Sequence, residues 1–167
     1  MNLAQRAHLK NLMDLLLKHE PLVHYPVHDI RGAKDAATFR LTEAQMRAAL
    51  AARKSLMMDC SQAVTCLFKW AGLKDPNGLS YKYAGYTGTL MQHLPHYADS
   101  SKGRVGALVV YGPGTGEHVS MVYTPGDDPL LWSHGLDGGP ELVTLSRQRT
   151  YHHTPATFLN VSGIGPI

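Results

Sequence analysis

Cysteine is scarce in this chain of 167 residues, which contains only Cys60 and Cys66. On one helix these two would lie about 9 Å apart along the axis, which is too far for a disulfide bond. The fold therefore does not depend on a disulfide bond between them. Each cysteine is either a small buried side chain or a reactive thiol.

Long apolar runs are also missing from the sequence. No window approaches the roughly 18 apolar residues that a membrane-spanning helix needs. The N-terminus lacks the basic start and unbroken apolar stretch of a signal peptide. We therefore predict a soluble product that is made inside the cell and has no membrane partner. If it acts outside the cell, another route must deliver it.

Charge of one sign is not concentrated anywhere along the chain. The net charge is +3 and the isoelectric point is near 8.9, without a dense run of Lys and Arg. This balance is too weak to indicate a nucleic-acid partner. A mild positive charge does suit an anionic polymer as the target.

Recognised metal-binding motifs are absent, although the chain contains 10 histidines. Neither C-x-x-C nor H-E-x-x-H occurs. The close pairs are His93 with His96, and His152 with His153. Pro95 lies between His93 and His96 and prevents them from acting as a ligand pair on one helix. His152 and His153 are adjacent, and adjacent residues on a strand point to opposite faces, so they would not bind one metal ion together. We predict solvated loop histidines, no bound metal and no other cofactor.

The order of the predicted elements indicates the α+β class, with helices packed on an antiparallel sheet. The composition, 44% hydrophobic and 17% charged, is that of a globular protein. We predict a single domain over 1–167, with an N-terminal helical and loop extension over 1–54 and a core over 55–161. Helices are predicted over 3–17, from a capping box at Thr42–Gln45, and from Asp59 to Gly72. Strands are predicted over 106–111, 118–123, 130–134, 142–145 and 158–161. Loops are predicted over 24–38 and over 81–97, the second with room for one helical turn.

Cys60 lies where a thiol can be activated. It follows Asp59, a good N-cap residue, and precedes an amphipathic run, so it should occupy the first turn of a helix. Free backbone N–H groups and the helix dipole stabilise a thiolate at that position. Cys66 falls in the middle of the same helix and is predicted to be structural. A buried structural role for Cys60 stays open on this evidence.

His118 is the best candidate for the base that such a thiol needs. It opens an apolar strand directly after the Gly-rich segment 114–117. A histidine at the first position of a strand is well placed to meet a helix that packs on the sheet. A surface histidine at the edge of the sheet is the alternative.

His134 is predicted to orient the imidazole of His118. If Tyr123 pairs with Pro129 in a hairpin, His134 lies directly across from His118 on the same face of the sheet. A shift of one residue in register would turn His134 to the opposite face. Asp137 and Glu117 are the fallback candidates for the orienting residue.

An aromatic segment follows the predicted helix of Cys60. It contains Tyr81, Tyr83 and Tyr86 together with Gly85 and Gly88, and could line a substrate groove. They could equally belong to a loop that is pinned on the core. Tyr25 has the same two interpretations.

These motifs together resemble the NlpC-type cell-wall cysteine peptidases. The resemblance is carried by Asp59-Cys60-Ser61, by the helix end at Trp70-Ala71-Gly72, by His118-Val119 and by Ser133-His134-Gly135. The related CHAP amidases share the order of cysteine and then histidine. The similarity covers about 55–145.

The resemblance implies a papain-like core that hydrolyses an amide bond in the stem peptide of peptidoglycan. Cys60 would attack the carbonyl, His118 would be the general base and His134 would orient it. Asp59 and Ser61 would help to bind the amino end of the peptide. The family usually has Gly at the position of Gln62, so a bulkier side chain there would alter the approach to the site.

The chain also looks like a phage lysin or a tail-associated hydrolase. No wall-binding repeat is present, and Ser133-His134-Gly135 is followed by Gly138-Gly139-Pro140, as in such enzymes. Peptidoglycan and other phage tail proteins are the expected partners. The protein would be in the host cytoplasm before delivery to the wall, or on the virion.

Other classes of function remain open from the sequence. One is a phage tail protein that has the same fold but no longer cuts. A second is an N-acetylmuramoyl-L-alanine amidase rather than an endopeptidase, since both use the same catalytic groups. Transglutaminase-like acyl transfer and a zinc hydrolase are the remaining alternatives.

Overall fold

The computed structural model of the chain describes residues 1–26, 36–97, 103–135 and 138–167. The predicted α+β class is confirmed, with helices packed on an antiparallel sheet. The helices are α1 (Leu3–Lys18), a 3₁₀ turn (Glu20–Leu22), α2 (Ala36–Arg40), α3 (Glu43–Ala51), α4 (Cys60–Trp70), α5 (Thr87–His93) and α6 (Leu145–His152). The strands are β1 (Val23–His24), β2 (Leu56–Met57), β3 (His96–Tyr97), β4 (Leu108–Tyr111), β5 (His118–Thr124), β6 (Leu130–His134), β7 (Pro140–Thr144) and β8 (Ala156–Leu159).

The main sheet has six strands in the order β3-β8-β4-β5-β6-β7. Its neighbouring strands are antiparallel, and β4 to β7 follow one another along the chain as a meander. A separate parallel pair joins β1 to β2, with Val23 opposite Leu56. This short pair brings the segment after α1 to the segment that leads into α4.

The two faces of the main sheet are covered by different helices. One face presents Val110, Val119, Met121 and Trp132 to a large apolar cluster that includes the buried sides of α1 and α4. We call this the α4 face. The opposite face presents Val109, Tyr111, Val122, Leu131 and Val143 to a smaller cluster that includes Leu145, the first residue of α6. We call this the α6 face.

Local signals in the sequence account for the helix boundaries near the site. Thr42 and Gln45 form the predicted capping box at the start of α3. Asp59 caps α4, and Gly72 follows its end with a φ of +66°, a conformation that favours glycine.

Three parts of the predicted secondary structure are wrong. The predicted loop over 24–38 contains the end of β1 and the start of α2, and its residues 27–35 lie outside the described part of the chain. The predicted loop over 81–97, with room for one helical turn, contains the 7-residue helix α5 and strand β3. Helix α6 was not predicted, because its eight residues show no apolar period; it starts where Thr144 accepts the backbone N–H of Arg147.

No helix in the described ranges combines the length and apolar character that crossing a membrane requires.

Candidate active site

Asp59 places Cys60 at the first position of α4. The Asp59 carboxylate accepts the backbone N–H of Gln62 at 2.7 Å and the hydroxyl of Ser61 at 2.8 Å. This is the N-cap that the sequence predicted. Asp59 and Ser61, expected to bind substrate, are therefore bonded to each other, and Ser61 is buried.

Three donors surround the sulfur atom of Cys60. The backbone N–H groups of Val119 and Ser61 and the hydroxyl of Tyr25 hydrogen-bond to it. The Tyr25 hydroxyl also accepts the backbone N–H of Cys60. Val119 directly follows His118 on β5, so the sulfur lies against the backbone where β5 begins.

The expectation of a thiolate at Cys60 is wrong for the resting protein. Burial, and then the negative charge of Asp59, raise the pKa of the Cys60 thiol to about 11. The hydrogen bonds from Val119, Tyr25 and Ser61 oppose this rise but do not outweigh it. Cys60 therefore carries its proton at neutral pH. Cys66, in the middle of α4, is fully buried, and burial raises its pKa further.

His118 lies on the α6 face, where two serine hydroxyls surround one of its ring nitrogens. Nε2 lies 2.9 Å from Oγ of Ser133 and 3.3 Å from Oγ of Ser120. Burial, and then the neighbouring His152 and His134, lower the pKa of His118 to about 3. The imidazole is thus neutral at physiological pH, but a pKa so far below neutral makes it a weak base in this resting structure.

The predicted pairing of His118 with His134 is wrong by one residue. Ser120 lies opposite Ser133 and Met121 lies opposite Trp132, with a bulge between Val122 and Thr124. Continuing this register sets His134 opposite Val119, and so on the face away from His118. The extra residue in the bulge produces the shift. Ser133 therefore contacts His118 in place of His134.

His134 lies on the α4 face and is completely buried. Its Nε2 lies 2.9 Å from the backbone oxygen of Met58, and its ring centroid is 5.7 Å from that of Tyr25. Burial is the main cause that lowers its pKa, and Asp59 acts in the opposite direction. His134 thus connects β6 to the segment before α4 and supports Tyr25.

The two fallback residues for orienting His118 have different outcomes. Glu117 is exposed and acts on His152 rather than on His118. Its negative charge favours a higher pKa for His152, but the opposing effect of burial is larger. Asp137 lies outside the described residues.

Four polar residues on the α6 face form a chain that ends at His118. Ser120 donates to Oγ of Ser133 at 3.2 Å, and Nε2 of Gln148 lies 3.3 Å from the same oxygen. Nε2 of His152 lies 2.9 Å from Oε1 of Gln148. The ring of His152 stacks on that of His118, with centroids 5.0 Å apart, and on that of Tyr111 at 4.7 Å.

Sequence reasoning did not identify this chain of residues. The alternation on β5 had placed Ser120 on the same face as His118, which was a usable signal. Placing Ser133 beside His118 required the correct register of β5 and β6. Placing Gln148 and His152 required helix α6, which was not predicted.

The predicted aromatic residues do not form one group. Tyr25 is half-buried and touches Cys60, whereas Tyr83 and Tyr86 are 60% and 49% exposed. Tyr86 precedes Thr87, whose hydroxyl donates to the backbone oxygen of Gly116 at 3.1 Å. Tyr86 therefore lies near the turn that leads into His118. The described contacts connect Tyr83 to neither Cys60 nor His118.

An open cleft lies beside Tyr25. Its volume is about 240 Å³. It is lined on one side by residues around β1 and on the other by the start of the segment leading into β7: Glu20, Pro21, Val23, His24, Tyr25, Gly138 and Gly139. Tyr25 lines this cleft and also hydrogen-bonds the sulfur of Cys60, whereas the described residues that line the cleft include neither Cys60 nor His118.

Within the described ranges, no three or more His, Cys, Asp or Glu side chains are grouped so that they could hold a metal ion. Nε2 of His96 lies 2.8 Å from the backbone oxygen of Met91, and His152 hydrogen-bonds to Gln148.

Comparison with known proteins found no relative. No family model, no curated protein and no solved structure matches this chain.

Proposed function

We propose that the chain is a cysteine hydrolase with a papain-like core, in which Cys60 is the nucleophile and His118 the general base. The observation that carries the proposal is the hydrogen bond from the backbone N–H of Val119 to the sulfur of Cys60. This contact brings the first turn of α4 to the start of β5. The resemblance to NlpC-type peptidases predicts a thiol and an imidazole at these two positions.

His118 would act through Nδ1. Its Nε2 is taken up by the hydroxyls of Ser133 and Ser120, so the proposal assigns the proton of the thiol to Nδ1, the other ring nitrogen. Ser133 then has the orienting role that we had expected for His134. His134 instead supports Tyr25 at the other side of the sulfur.

The reaction begins from a neutral thiol and a neutral imidazole. As the sulfur of Cys60 attacks the amide carbon, its proton passes to Nδ1 of His118. The C–N bond breaks, the leaving amine takes that proton, and a thioester remains on Cys60. Water then attacks the thioester while His118 takes one water proton and returns it to the sulfur, which releases the acid.

Donors for the negatively charged oxygen of the intermediate lie around the sulfur. The Tyr25 hydroxyl and the backbone N–H of Cys60 are bonded to each other next to it. A substrate oxygen that enters between them would accept both hydrogen bonds. Such preorganised donors typically contribute 10²–10³-fold to the rate.

The substrate we propose is the stem peptide of bacterial peptidoglycan, cut at an amide bond. The resemblance supports this choice, and the net charge of +3 favours an anionic polymer. The cleft of about 240 Å³ is smaller than most sites for drug-sized ligands, so it suits one residue of a peptide. Delivery as a phage lysin or with a virion tail belongs to the same proposal.

The decisive experiment is digestion of purified peptidoglycan, with mass spectrometry of the released fragments. Wild type should release fragments cut at one amide bond, and Cys60→Ala should release none. Cys66→Ala is the matched control, because it changes the other cysteine of the same helix and should keep the activity wherever the protein stays folded. If Cys60→Ala releases the same fragments as wild type, the proposal is wrong.

The burial of the thiol favours a second candidate, a wall-binding protein that does not cut. Cys60 is only 5% exposed and its pKa is raised to about 11. Such a protein would sediment with purified walls and release no fragments. Wild type and Cys60→Ala would then behave alike in both assays.

A further inference from the structure

The chain of hydrogen bonds on the α6 face ends on the same ring nitrogen that the proposed mechanism assigns to orientation. We call Ser133, Ser120, Gln148 and His152 the relay. Gln148 is buried, with 7% of its surface exposed, and Ser120 and Ser133 are buried as well. Buried polar groups of this kind are normally all hydrogen-bonded, so the direction of each bond constrains the next one.

One direction of the relay starts from a proton on Nε2 of His152. That N–H donates to Oε1 of Gln148, so the amide nitrogen of Gln148 donates to Oγ of Ser133. Ser120 donates to the same oxygen, which fills both of its lone pairs. The Ser133 hydroxyl must then donate to Nε2 of His118, and the proton of the neutral imidazole lies on Nδ1.

The opposite direction needs a half-turn of the Gln148 amide, which exchanges its oxygen and nitrogen in the same positions. The amide nitrogen now donates to the unprotonated Nε2 of a neutral His152, whose one ring proton then lies on Nδ1. The amide oxygen accepts the hydroxyl of Ser133, whose oxygen accepts Nε2–H of His118. Nδ1 of His118 is then unprotonated and can accept the proton of a thiol.

We propose that Gln148 and His152 are positioning residues that set the tautomer of His118, and that a proton on Nε2 of His152 switches the base off. The inference depends on the proposed function, because only there does Nδ1 serve the thiol. No member of α6 touches the substrate in this account. The helix acts through Ser133 from the face of the sheet opposite α4.

The switch is expected below pH 6.5. Burial lowers the pKa of His152 from its ordinary value, and the charge of Glu117 opposes that effect. The ring of His152 also contacts the rings of Tyr111 on β4, His118 on β5 and Tyr151 on α6. Arg149 on α6 acts on Tyr111. His118 itself is protonated only near pH 3. The ring of His152 is only partly buried and that of His118 is buried, so we expect His152 to take up a proton before His118 does.

The first test is the pH profile of peptidoglycan hydrolysis. Wild-type activity should fall about tenfold per pH unit below the pKa of His152, as one proton requires. His152→Phe keeps a ring for stacking but removes both nitrogens. The loss of activity of this variant in acid should therefore begin about one pH unit or more below that of wild type. Gln148→Met should give the same displacement.

A purely structural role would reduce the activity of His152→Phe without moving its acid limb. That outcome would overturn the proposal. His153→Asn is the control, because His153 is exposed, and its φ of +52° suits asparagine. Its profile should coincide with that of wild type.

The second test needs no activity and reads the tautomer directly. Nitrogen NMR of the histidine rings distinguishes Nδ1–H from Nε2–H, and the His118 signals are assigned by their loss in His118→Gln. In wild type the His118 proton should move from Nε2 to Nδ1 as His152 becomes protonated. In Gln148→Glu, whose carboxylate only accepts, it should stay on Nε2 from pH 5 to 8.

A His118 tautomer that does not change while His152 titrates would contradict the relay, whether or not the protein cuts peptidoglycan. A tautomer that changes in a protein without hydrolytic activity would support the relay and reject the proposed function. The two proposals can therefore fail separately.

Discussion

The two faces of the main sheet give their buried histidines different hydrogen-bond partners. On the α4 face, His134 is fully buried, and its Nδ1 finds no hydrogen-bond partner among the described residues. On the α6 face, Nε2 of His118 has two serine hydroxyls within 3.3 Å. The contrast teaches that these two histidines, which the sequence suggested as partners, have separate roles. His134 contacts Tyr25 and the segment before α4, whereas His118 is the residue to which the proposed function assigns proton transfer.

The largest expected effect separates these two roles. His118→Gln should lower the rate of peptidoglycan hydrolysis by roughly 10²–10⁴-fold, the usual range for removal of a general base. His134→Gln keeps a donor for the backbone oxygen of Met58 and should cost less than about tenfold. Initial rates on purified walls measure both. If the His134 variant loses as much as the His118 variant, the assignment of roles is wrong.

The second prediction compares the apolar parts of the same two faces. Trp132→Ala on the α4 face should lower the free energy of unfolding by about 3–5 kcal/mol. Leu131→Ala on the α6 face should cost about 2–5 kcal/mol, toward the lower end, because its cluster is smaller. Denaturant unfolding followed by circular dichroism measures both. A larger loss for Leu131→Ala would show that the α6 face is the main core.

The third prediction concerns stability in acid. The pKa values of His118, His134 and His152 are all lowered in the folded protein, chiefly by burial. The unfolded chain therefore takes up protons first, so stability is complete above about pH 6.5 and falls as the pH drops below it.

The loss from His118 alone should reach roughly a few kcal/mol by pH 3, near its folded-state pKa. Thermal unfolding between pH 7 and pH 4 should show a falling Tm, with a flatter slope for His118→Gln. A Tm that does not depend on pH over this range would mean that these histidines are accessible to water.

The smallest expected effect concerns the two serines that touch His118. Ser133→Ala removes the shorter contact, at 2.9 Å, and should reduce the rate about tenfold, which corresponds to about 1.4 kcal/mol. Ser120→Ala removes a contact of 3.3 Å and should cost less. Equal losses, or a larger loss for Ser120→Ala, would contradict the assignment of Ser133 as the orienting residue.

Local signals were enough to predict the helix start that carries the thiol. Asp59 before an amphipathic run predicted the cap of α4, and Thr42 with Gln45 predicted the capping box of α3. Both are interactions within four residues, so neighbouring side chains decide them. Strand β5, beginning at His118, followed from its apolar run.

The rest of the site depends on contacts that the sequence does not encode locally. The bulge between Val122 and Thr124 shifts the register by one residue, so that Ser133 rather than His134 lies beside His118. Burial of Cys60, together with the charge of Asp59, outweighs the hydrogen bonds that favour a thiolate at the start of α4. Helix α6 has no apolar period, so Gln148 and His152 could not be placed.

The most direct test of the central claim is to look for the acyl group on the sulfur of Cys60. Digestion of peptidoglycan is quenched in acid at early times, and the peptide that contains Cys60 is weighed by mass spectrometry. We predict a thioester of the cleaved stem peptide on Cys60 in wild type and none in Cys60→Ala. Release of cleaved fragments while Cys60 stays unmodified at every time point would contradict the account.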